Sequence, residues 1–115
     1  MTYLENENDF DNLINNNLIL VDFFTEWCGP CQLLGEVLES VDFIKILKVD
    51  ADKFPNLAMK YGIMSVPTLC FFEKGNLLKK EIGFPKNLNI FIIATVTAPS
   101  NIIQLHISCN NFSTS

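Results

Sequence analysis

The order of hydrophobic patterns along this 115-residue chain predicts an α/β fold, with a central mixed β-sheet flanked by helices on both faces. Segments with the pattern of strands alternate with segments that have the pattern of helices, which favours parallel pairing of the strands. A turn in the second half of the chain joins two strand-like segments and adds an antiparallel edge to the sheet. The length and the apolar content of 49% suit one domain with one hydrophobic core.

The first half of the chain predicts two strands and two helices. A short edge strand at Thr2–Glu5 precedes a helix over Asp9–Asn17, whose apolar residues are three and four positions apart. Leu18–Phe24 is a nearly continuous apolar run, which is typical of a strand buried on both faces. A tight turn at Glu26–Cys31 leads into a helix from Pro30, because the next apolar residues recur at helical spacing and proline suits a first turn.

The second half predicts three strands and two helices. Gly62 is a natural stop for the first of these helices, and a turn at Glu73–Asn76 joins the last two strands into a hairpin. In order, the predicted elements are a strand over Phe43–Asp50, a helix over Asn56–Tyr61, strands over Thr68–Phe72 and Leu77–Ile82, and a final helix from Lys86.

Composition and charge exclude several classes of protein. The chain has 13 acidic and 8 basic residues, all of them lysine, and a net charge of -5 at pH 7. It therefore lacks the basic face of a nucleic-acid-binding protein. No apolar stretch approaches the ~20 residues of a membrane-spanning helix. The acidic, polar amino terminus lacks the pattern of a secretory signal, so we expect a cytoplasmic protein with neither nucleic acid nor membrane as a partner.

The chemistry of the chain is concentrated at a C-x-x-C motif formed by Cys28 and Cys31. The motif lies between the predicted buried strand and the predicted amphipathic helix, so Cys28 meets the amino terminus of that helix. Unpaired N–H groups and the helix dipole favour a thiolate there. Cys31 lies one turn further on, with the small Gly29 and the rigid Pro30 between the two sulfurs. We expect Cys28 to attack a disulfide of the substrate and Cys31 to resolve the mixed disulfide.

Two alternatives remain for this cysteine pair. A zinc site would need two further ligands, which His106 and Cys109 could supply, although structural zinc sites usually have shorter gaps between their two halves. A purely structural disulfide would constrain little of the unfolded chain, because the ring that it closes is short. We therefore expect redox chemistry without a bound metal, and Cys70 is expected to be a core residue in the middle of a strand.

Three stretches carry a resemblance to a known family. They are V-D-F-F-T-E-W-C-G-P-C at Val21–Cys31, K-V-D-A-D at Lys48–Asp52 and V-P-T at Val66–Thr68. Together with Ile82–Gly83 after the hairpin, they closely resemble the thioredoxin family over roughly residues 1–96. The resemblance implies the thioredoxin fold, and we place the domain at residues 1–97 with an atypical tail at residues 98–115.

The resemblance also implies a proton acceptor behind the cysteine pair. Asp22 matches the buried acid of the family, which would take the proton from Cys31, acting as a general base through water. Lys48 matches the buried lysine that partners this acid. The alternatives are that Asp22 reaches water at the end of its strand and that Lys48 is an exposed strand residue.

The remaining site residues implied by the resemblance would bind the substrate. The Val66–Pro67 bond is expected to be cis and to face the cysteines, leaving the backbone of Val66 free to pair with an extended peptide. Gly83 fits a backbone that approaches the substrate closely, although a turn glycine is the alternative. The full set expected to bind the substrate is Trp27, Gly29, Pro30, Val66, Pro67 and Gly83.

The predicted function is that of a monomeric dithiol–disulfide oxidoreductase that reduces disulfides in client proteins. As the family implies, it would need no bound cofactor and would receive electrons from an NADPH-dependent flavoprotein, thioredoxin reductase. A non-catalytic interaction subunit and an exported oxidant or isomerase are the alternatives. Two departures from the family pattern stand near the motif: Phe24 replaces a second Trp, and Gly35 lies in a helix that commonly carries a kinking proline.

Overall fold

We describe the protein from a computed structural model. The description covers residues 1–87, and the fold is set out for the compact unit Met1–Phe84. The strands are β1 (Thr2–Tyr3), β2 (Ile19–Phe24), β3 (Lys45–Asp50), β4 (Thr68–Glu73) and β5 (Asn76–Ile82). The helices are a 3-10 turn at Glu7–Asp9 followed by α1 (Phe10–Ile14), then α2 (Gly29–Glu39) and α3 (Pro55–Lys60).

Each strand and helix predicted before residue 83 is present, with its ends shifted by a few residues. The predicted stop at Gly62 is confirmed, since this glycine follows α3 with a φ of 66°, a left-handed conformation that favours glycine. Of the predicted final helix, only Lys86 and Asn87 are described, and both lie in a turn. The rest of that helix and the boundary between residues 97 and 98 lie outside the described residues.

The five strands form one mixed sheet in the order β1-β3-β2-β4-β5. β1, β3 and β2 are parallel, whereas β4 is antiparallel to both β2 and β5. The expectation of parallel pairing was therefore wrong for β4, where antiparallel pairing had been expected only with β5. β3 ends with Asp50 beside Phe24, and β4 begins with Thr68 beside Phe23. The chain re-enters the sheet at the end where β3 leaves it and makes no crossover to the other end, so β4 runs in the opposite direction.

The central strand β2 is buried on both faces, and its alternate residues serve two different layers. One face, here called the α1/α3 face, joins Val21 and Phe23 to buried residues of α1 and α3. The other, here called the α2 face, carries Leu20 and Asp22 and is covered by α2. The buried residues of α2 are Cys31, Leu34 and Leu38, which recur at helical spacing.

An aromatic cluster fills the α1/α3 face. Phe72 packs against Phe10 and Tyr61, with ring centroids 6.0 Å and 5.3 Å apart in edge-to-face contact, an arrangement that aromatic pairs prefer. Cys70 lies in the same core as a free thiol, which confirms its expected place. Burial raises the pKa of the Cys70 thiol to about 12, so it is inert as a nucleophile at neutral pH. Within residues 1–87, no helix is long and apolar enough to cross a bilayer.

Candidate active site

The candidate site lies where β2 ends and α2 begins. Cys28 is the N-cap of α2, with extended φ and ψ of -88° and 113°. Its N–H donates to the Thr25 carbonyl at 3.4 Å, and its own carbonyl accepts the Gln32 N–H at 3.2 Å. Pro30 follows in the first turn of the helix, where backbone N–H groups have no acceptor within the helix, so a proline costs no hydrogen bond. The predicted placement of Cys28 at the amino terminus of the helix is therefore confirmed.

Cys28 and Cys31 are joined by a disulfide, with their Cα atoms 5.2 Å apart. The backbone N–H of Cys31 donates to Cys28 Sγ at 3.2 Å, so the sulfur occupies the position that a capping oxygen takes in other helices. Cys28 is 7% exposed and Cys31 is 2% exposed. Both cysteines are therefore largely buried at the start of α2, and Cys28 is slightly more exposed than Cys31.

Asp22 and Lys48 form a buried ion pair on the α2 face. The parallel register of β2 and β3 places the two residues side by side, and Lys48 Nζ donates to Asp22 Oδ2 at 2.7 Å. The side chains are 0% and 4% exposed, which excludes the interpretations of a water-reaching acid and an exposed lysine. Burial raises the pKa of the Asp22 carboxyl, although the nearby Lys48 charge opposes the shift. Asp22 Oδ1 has no hydrogen-bond partner among the described residues.

The Val66–Pro67 bond is cis, as the resemblance implied. The Val66 carbonyl oxygen lies 3.8 Å from Cys28 Sγ, so this loop and the cysteine pair meet although they are far apart in sequence. The Pro67 carbonyl accepts the N–H of Gly83 at 2.8 Å. Gly83 has a φ of 85° and open space where a side chain would begin. The fold therefore connects Gly83 to the loop that lies beside Cys28.

Trp27 is exposed beside the cysteine pair. Its side chain is 75% exposed, and Nε1 donates to Asp52 Oδ2 at 2.7 Å. Asp50 Oδ1 accepts the N–H groups of Asp52 and Lys53 at 2.9 Å and 3.3 Å, which orders the turn that carries Asp52. The sequence did not identify Asp52 as a site residue. Its available signal was the Asp-Ala-Asp turn after a strand end, but this signal does not name the partner.

No metal centre is evident in the part of the chain that the structure describes. Within it, the His, Cys, Asp and Glu side chains form no group of three or more that could hold a metal ion. His106 and Cys109, the further ligands considered for zinc, lie outside the described residues.

Comparisons with known proteins agree with this geometry. The family model described as Thioredoxin matches residues 1–94. A curated thioredoxin of Staphylococcus epidermidis is 42% identical over 89 residues, which is 73% of this chain and 86% of the relative. A curated thioredoxin of Mycoplasmoides gallisepticum is 40% identical over 93 residues, covering 76% of this chain and 93% of the relative.

Solved structures show the same likeness in three dimensions. A mutant thioredoxin from Halobacterium salinarum superposes with a TM-score of 0.72 at 31% identity, covering 84% of this chain and 89% of that one. The family-model match over residues 1–94 includes the cysteine pair, the mixed sheet and the helices described above. From the family match, the relatives and the fold together, the chain belongs to the thioredoxin family.

Proposed function

We propose that this protein reduces disulfide bonds in client proteins and is itself oxidised in the reaction, forming a disulfide between Cys28 and Cys31. The observation that carries the proposal is the position of Cys28 Sγ at the start of α2, where it accepts the Cys31 N–H at 3.2 Å. A negatively charged sulfur at this position is stabilised by the N–H donor and by the helix dipole. Membership of the thioredoxin family supports dithiol–disulfide exchange as the chemistry of the pair.

The first step is attack by the Cys28 thiolate on a client disulfide. A bond forms between Cys28 Sγ and one client sulfur, while the client S–S bond breaks and its other sulfur leaves as a thiolate. In the second step, the Cys31 thiolate attacks Cys28 Sγ, which forms the Cys28–Cys31 disulfide and releases the second client thiolate. Two electrons pass from the protein to the client, and the two client thiolates take up protons.

We assign Asp22 the role of general base for the second step. Cys31 is buried, so its thiol needs a proton acceptor before it can attack. The carboxylate of Asp22 would accept this proton through water, and its raised pKa brings it nearer to the range useful for proton transfer at neutral pH. Lys48, paired with Asp22 Oδ2 at 2.7 Å, would limit that rise and keep part of the carboxylate ionised.

Client peptides would bind across the loop beside the cysteines. An extended peptide can pair with the backbone of Val66, in the manner of strand addition, because this backbone already lies near Cys28 Sγ. The exposed ring of Trp27 offers apolar contact area next to the disulfide. The complete set to which we assign client binding is Trp27, Gly29, Pro30, Val66, Pro67 and Gly83.

The cycle closes when a partner reduces the Cys28–Cys31 disulfide. We propose thioredoxin reductase, an NADPH-dependent flavoprotein, as this partner, so the protein itself needs no bound cofactor. The proposed setting is the cytoplasm, where such a couple keeps client thiols reduced, and the proposed state is a monomer. The support for these assignments is the family membership of the chain.

The decisive assay is reduction of insulin disulfides with NADPH, in the presence and absence of thioredoxin reductase. We expect turnover with reductase, none for Cys28→Ser, and a covalent mixed disulfide with the client for Cys31→Ser. Cys70→Ala is the matched control, because Cys70 is buried away from the pair and should retain turnover. A client trapped through Cys31 in the Cys28→Ser protein would reverse the two roles.

The insulin assay and a measurement of the equilibrium with glutathione separate the alternatives. A non-catalytic interaction subunit would show no insulin reduction, although it would still fold and bind partners. An exported oxidant or isomerase would differ in its equilibrium with glutathione, because its disulfide would be reduced at a much lower ratio of reduced to oxidised glutathione. A Cys28–Cys31 disulfide that is reduced only at a high ratio of reduced to oxidised glutathione supports the proposed reductase.

A further inference from the structure

The Lys48 ammonium is enclosed on three sides by groups of different chemistry. Asp22 Oδ2 lies 2.7 Å from Nζ, and the centroid of the Phe24 ring lies 4.6 Å from it. The third side is the backbone of α2 at Gly35, where an added Cβ would lie 3.3 Å from Nζ. We propose that Phe24 and Gly35 form a seat that holds the Lys48 ammonium against Asp22, which makes Phe24 a positioning residue for resolution of the mixed disulfide. This inference rests on the proposed role of Asp22.

The ring of Phe24 suits an ammonium that has lost its water. The face of an aromatic ring carries negative potential, and its attraction for a cation increases when the pair is desolvated. Lys48 is almost completely buried, and its Nζ donates a hydrogen bond to Asp22 Oδ2. The Phe24 ring is held in turn by Tyr3, whose ring meets it edge to face at a centroid distance of 5.9 Å. The seat is therefore oriented by β1 as well as by β2.

Gly35 allows the helix to approach the ammonium closely. A side chain at this position would begin within 3.3 Å of Nζ, closer than ordinary van der Waals contact between a carbon and its neighbour. Glycine lowers helix stability by about 1 kcal/mol relative to alanine, so the sequence tolerates a local cost here. In return, the absence of a side chain at Gly35 lets the backbone of α2 lie close to the Lys48 ammonium.

Other carboxylates line an open cavity beside the Lys48 ammonium. An open cavity of about 260 Å³ borders Phe24, Gly35, Lys48 and Cys31. The acidic residues along its wall are Glu26, Glu36 and Glu39. Lysine has a long, flexible stem, so without the ring its ammonium could turn into this cavity and toward these charges. The seat thus selects Asp22, the carboxylate that serves Cys31, from the four nearby acids.

The test is a titration of Asp22 in the oxidised protein, where neither Cys28 nor Cys31 can ionise. The carboxyl ¹³C shift of Asp22 is followed against pH in wild type, Phe24→Leu and Phe24→Tyr. We expect Phe24→Leu to raise the Asp22 midpoint by about half a pH unit, because a displaced Lys48 opposes the burial shift less. Phe24→Tyr keeps the ring and should restore the wild-type midpoint. The pH profile for release of client from its mixed disulfide should shift upward with the midpoint in Phe24→Leu alone.

The outcomes distinguish this inference from the proposed function. An unchanged or lowered Asp22 midpoint in Phe24→Leu overturns the seat, and so does an equal shift in Phe24→Tyr, which would reflect packing rather than the ring face. Asp22→Asn tests the base by itself. If Asp22→Asn resolves mixed disulfides at the wild-type rate, the role of Asp22 fails, whereas the seat still stands or falls on the titration.

Discussion

The two faces of the sheet differ in what alternate residues of β2 bury. On the α1/α3 face, Val21 and Phe23 belong to an apolar core that includes the aromatic contact between Phe72 and Phe10. On the α2 face, Asp22 brings a carboxyl group into the interior, where it is paired with Lys48. The first face stabilises the fold by removing apolar surface from water. The second accepts a desolvation cost for a buried carboxyl group, which we propose as the proton acceptor for Cys31, so the proposal divides stability and reactivity between the two sides of one strand.

The largest expected effect lies on the α1/α3 face. Phe72→Ala should lower the free energy of unfolding by about 3–5 kcal/mol, because it removes a buried ring from contact with Phe10 and Tyr61. Guanidinium unfolding at pH 7 measures this loss. Phe43→Ala is the matched control, since the Phe43 side chain is exposed and its loss should change stability by only about 0.5 kcal/mol. Equal losses in the two variants would contradict the assignment of the core.

The α2 face should respond in the opposite direction when its ion pair is replaced. Combining Asp22→Leu with Lys48→Met should raise the free energy of unfolding by about 1–4 kcal/mol, since hydrophobic residues of similar size remove the desolvation cost. Resolution of mixed disulfides should slow at the same time. Lys48→Met by itself should be less stable than the double variant, because Asp22 then lacks its partner. A double variant less stable than wild type would show that the pair is a net stabiliser.

Because Asp22 ionises, the contribution of the α2 face to the free energy of unfolding should depend on pH. Burial raises the pKa of Asp22 above its ordinary value of 3.8. The contribution of Asp22 to stability is therefore fully present below pH 3.8 and is lost as pH rises through the folded-state pKa. Asp22→Asn, which resembles the protonated acid, should gain stability over wild type as pH rises. Urea unfolding between about pH 4 and pH 9 checks this trend, and a gain that shrinks with rising pH would contradict it.

The smallest expected effect is at Gly35, and it measures how tightly α2 lies over the ion pair. In the Lys48→Met background, Gly35→Ala should gain about 1 kcal/mol from helix propensity, because methionine leaves the position of Nζ vacant. In the wild-type background the gain should be smaller, since the new Cβ meets Nζ at 3.3 Å. A double-mutant cycle by thermal or urea unfolding gives the coupling. Equal gains in both backgrounds would mean that Lys48 moves aside freely.

Much of the site could be predicted from local sequence because its chemistry is local. Cys28 and Cys31 lie between a buried strand and a helix with proline in its first turn, and the placement of Cys28 at the helix end follows from that order. Asp22 stood out as an acid inside an apolar run. Lys48 was assigned as the partner of Asp22 only through the family resemblance, because nothing in the pattern around Lys48 distinguishes a buried lysine from an exposed one.

Other features depend on pairing between distant segments, which no local pattern encodes. β4 is antiparallel to β2 because the chain re-enters the sheet at the end where β3 leaves it, and the alternation of strands and helices did not reveal this. The hydrogen bond from Trp27 to Asp52 connects two turns whose bonded residues are 25 positions apart in the sequence. The sequence marked Gly35 only as a departure from the family pattern, and its close approach to Lys48 is visible only in the tertiary structure.

By itself the sequence determined the elements, the buried central strand and the helix end at which Cys28 lies, because hydrophobic period, proline and glycine act over a few residues. The tertiary structure decided which face each residue of β2 serves, which of four nearby carboxylates the Lys48 ammonium meets, and that Val66 lies beside Cys28. These outcomes depend on strand register and on helix approach measured in ångströms. Both are set by the packing of the whole domain, because a one-residue slip in register would move Asp22 to the opposite face.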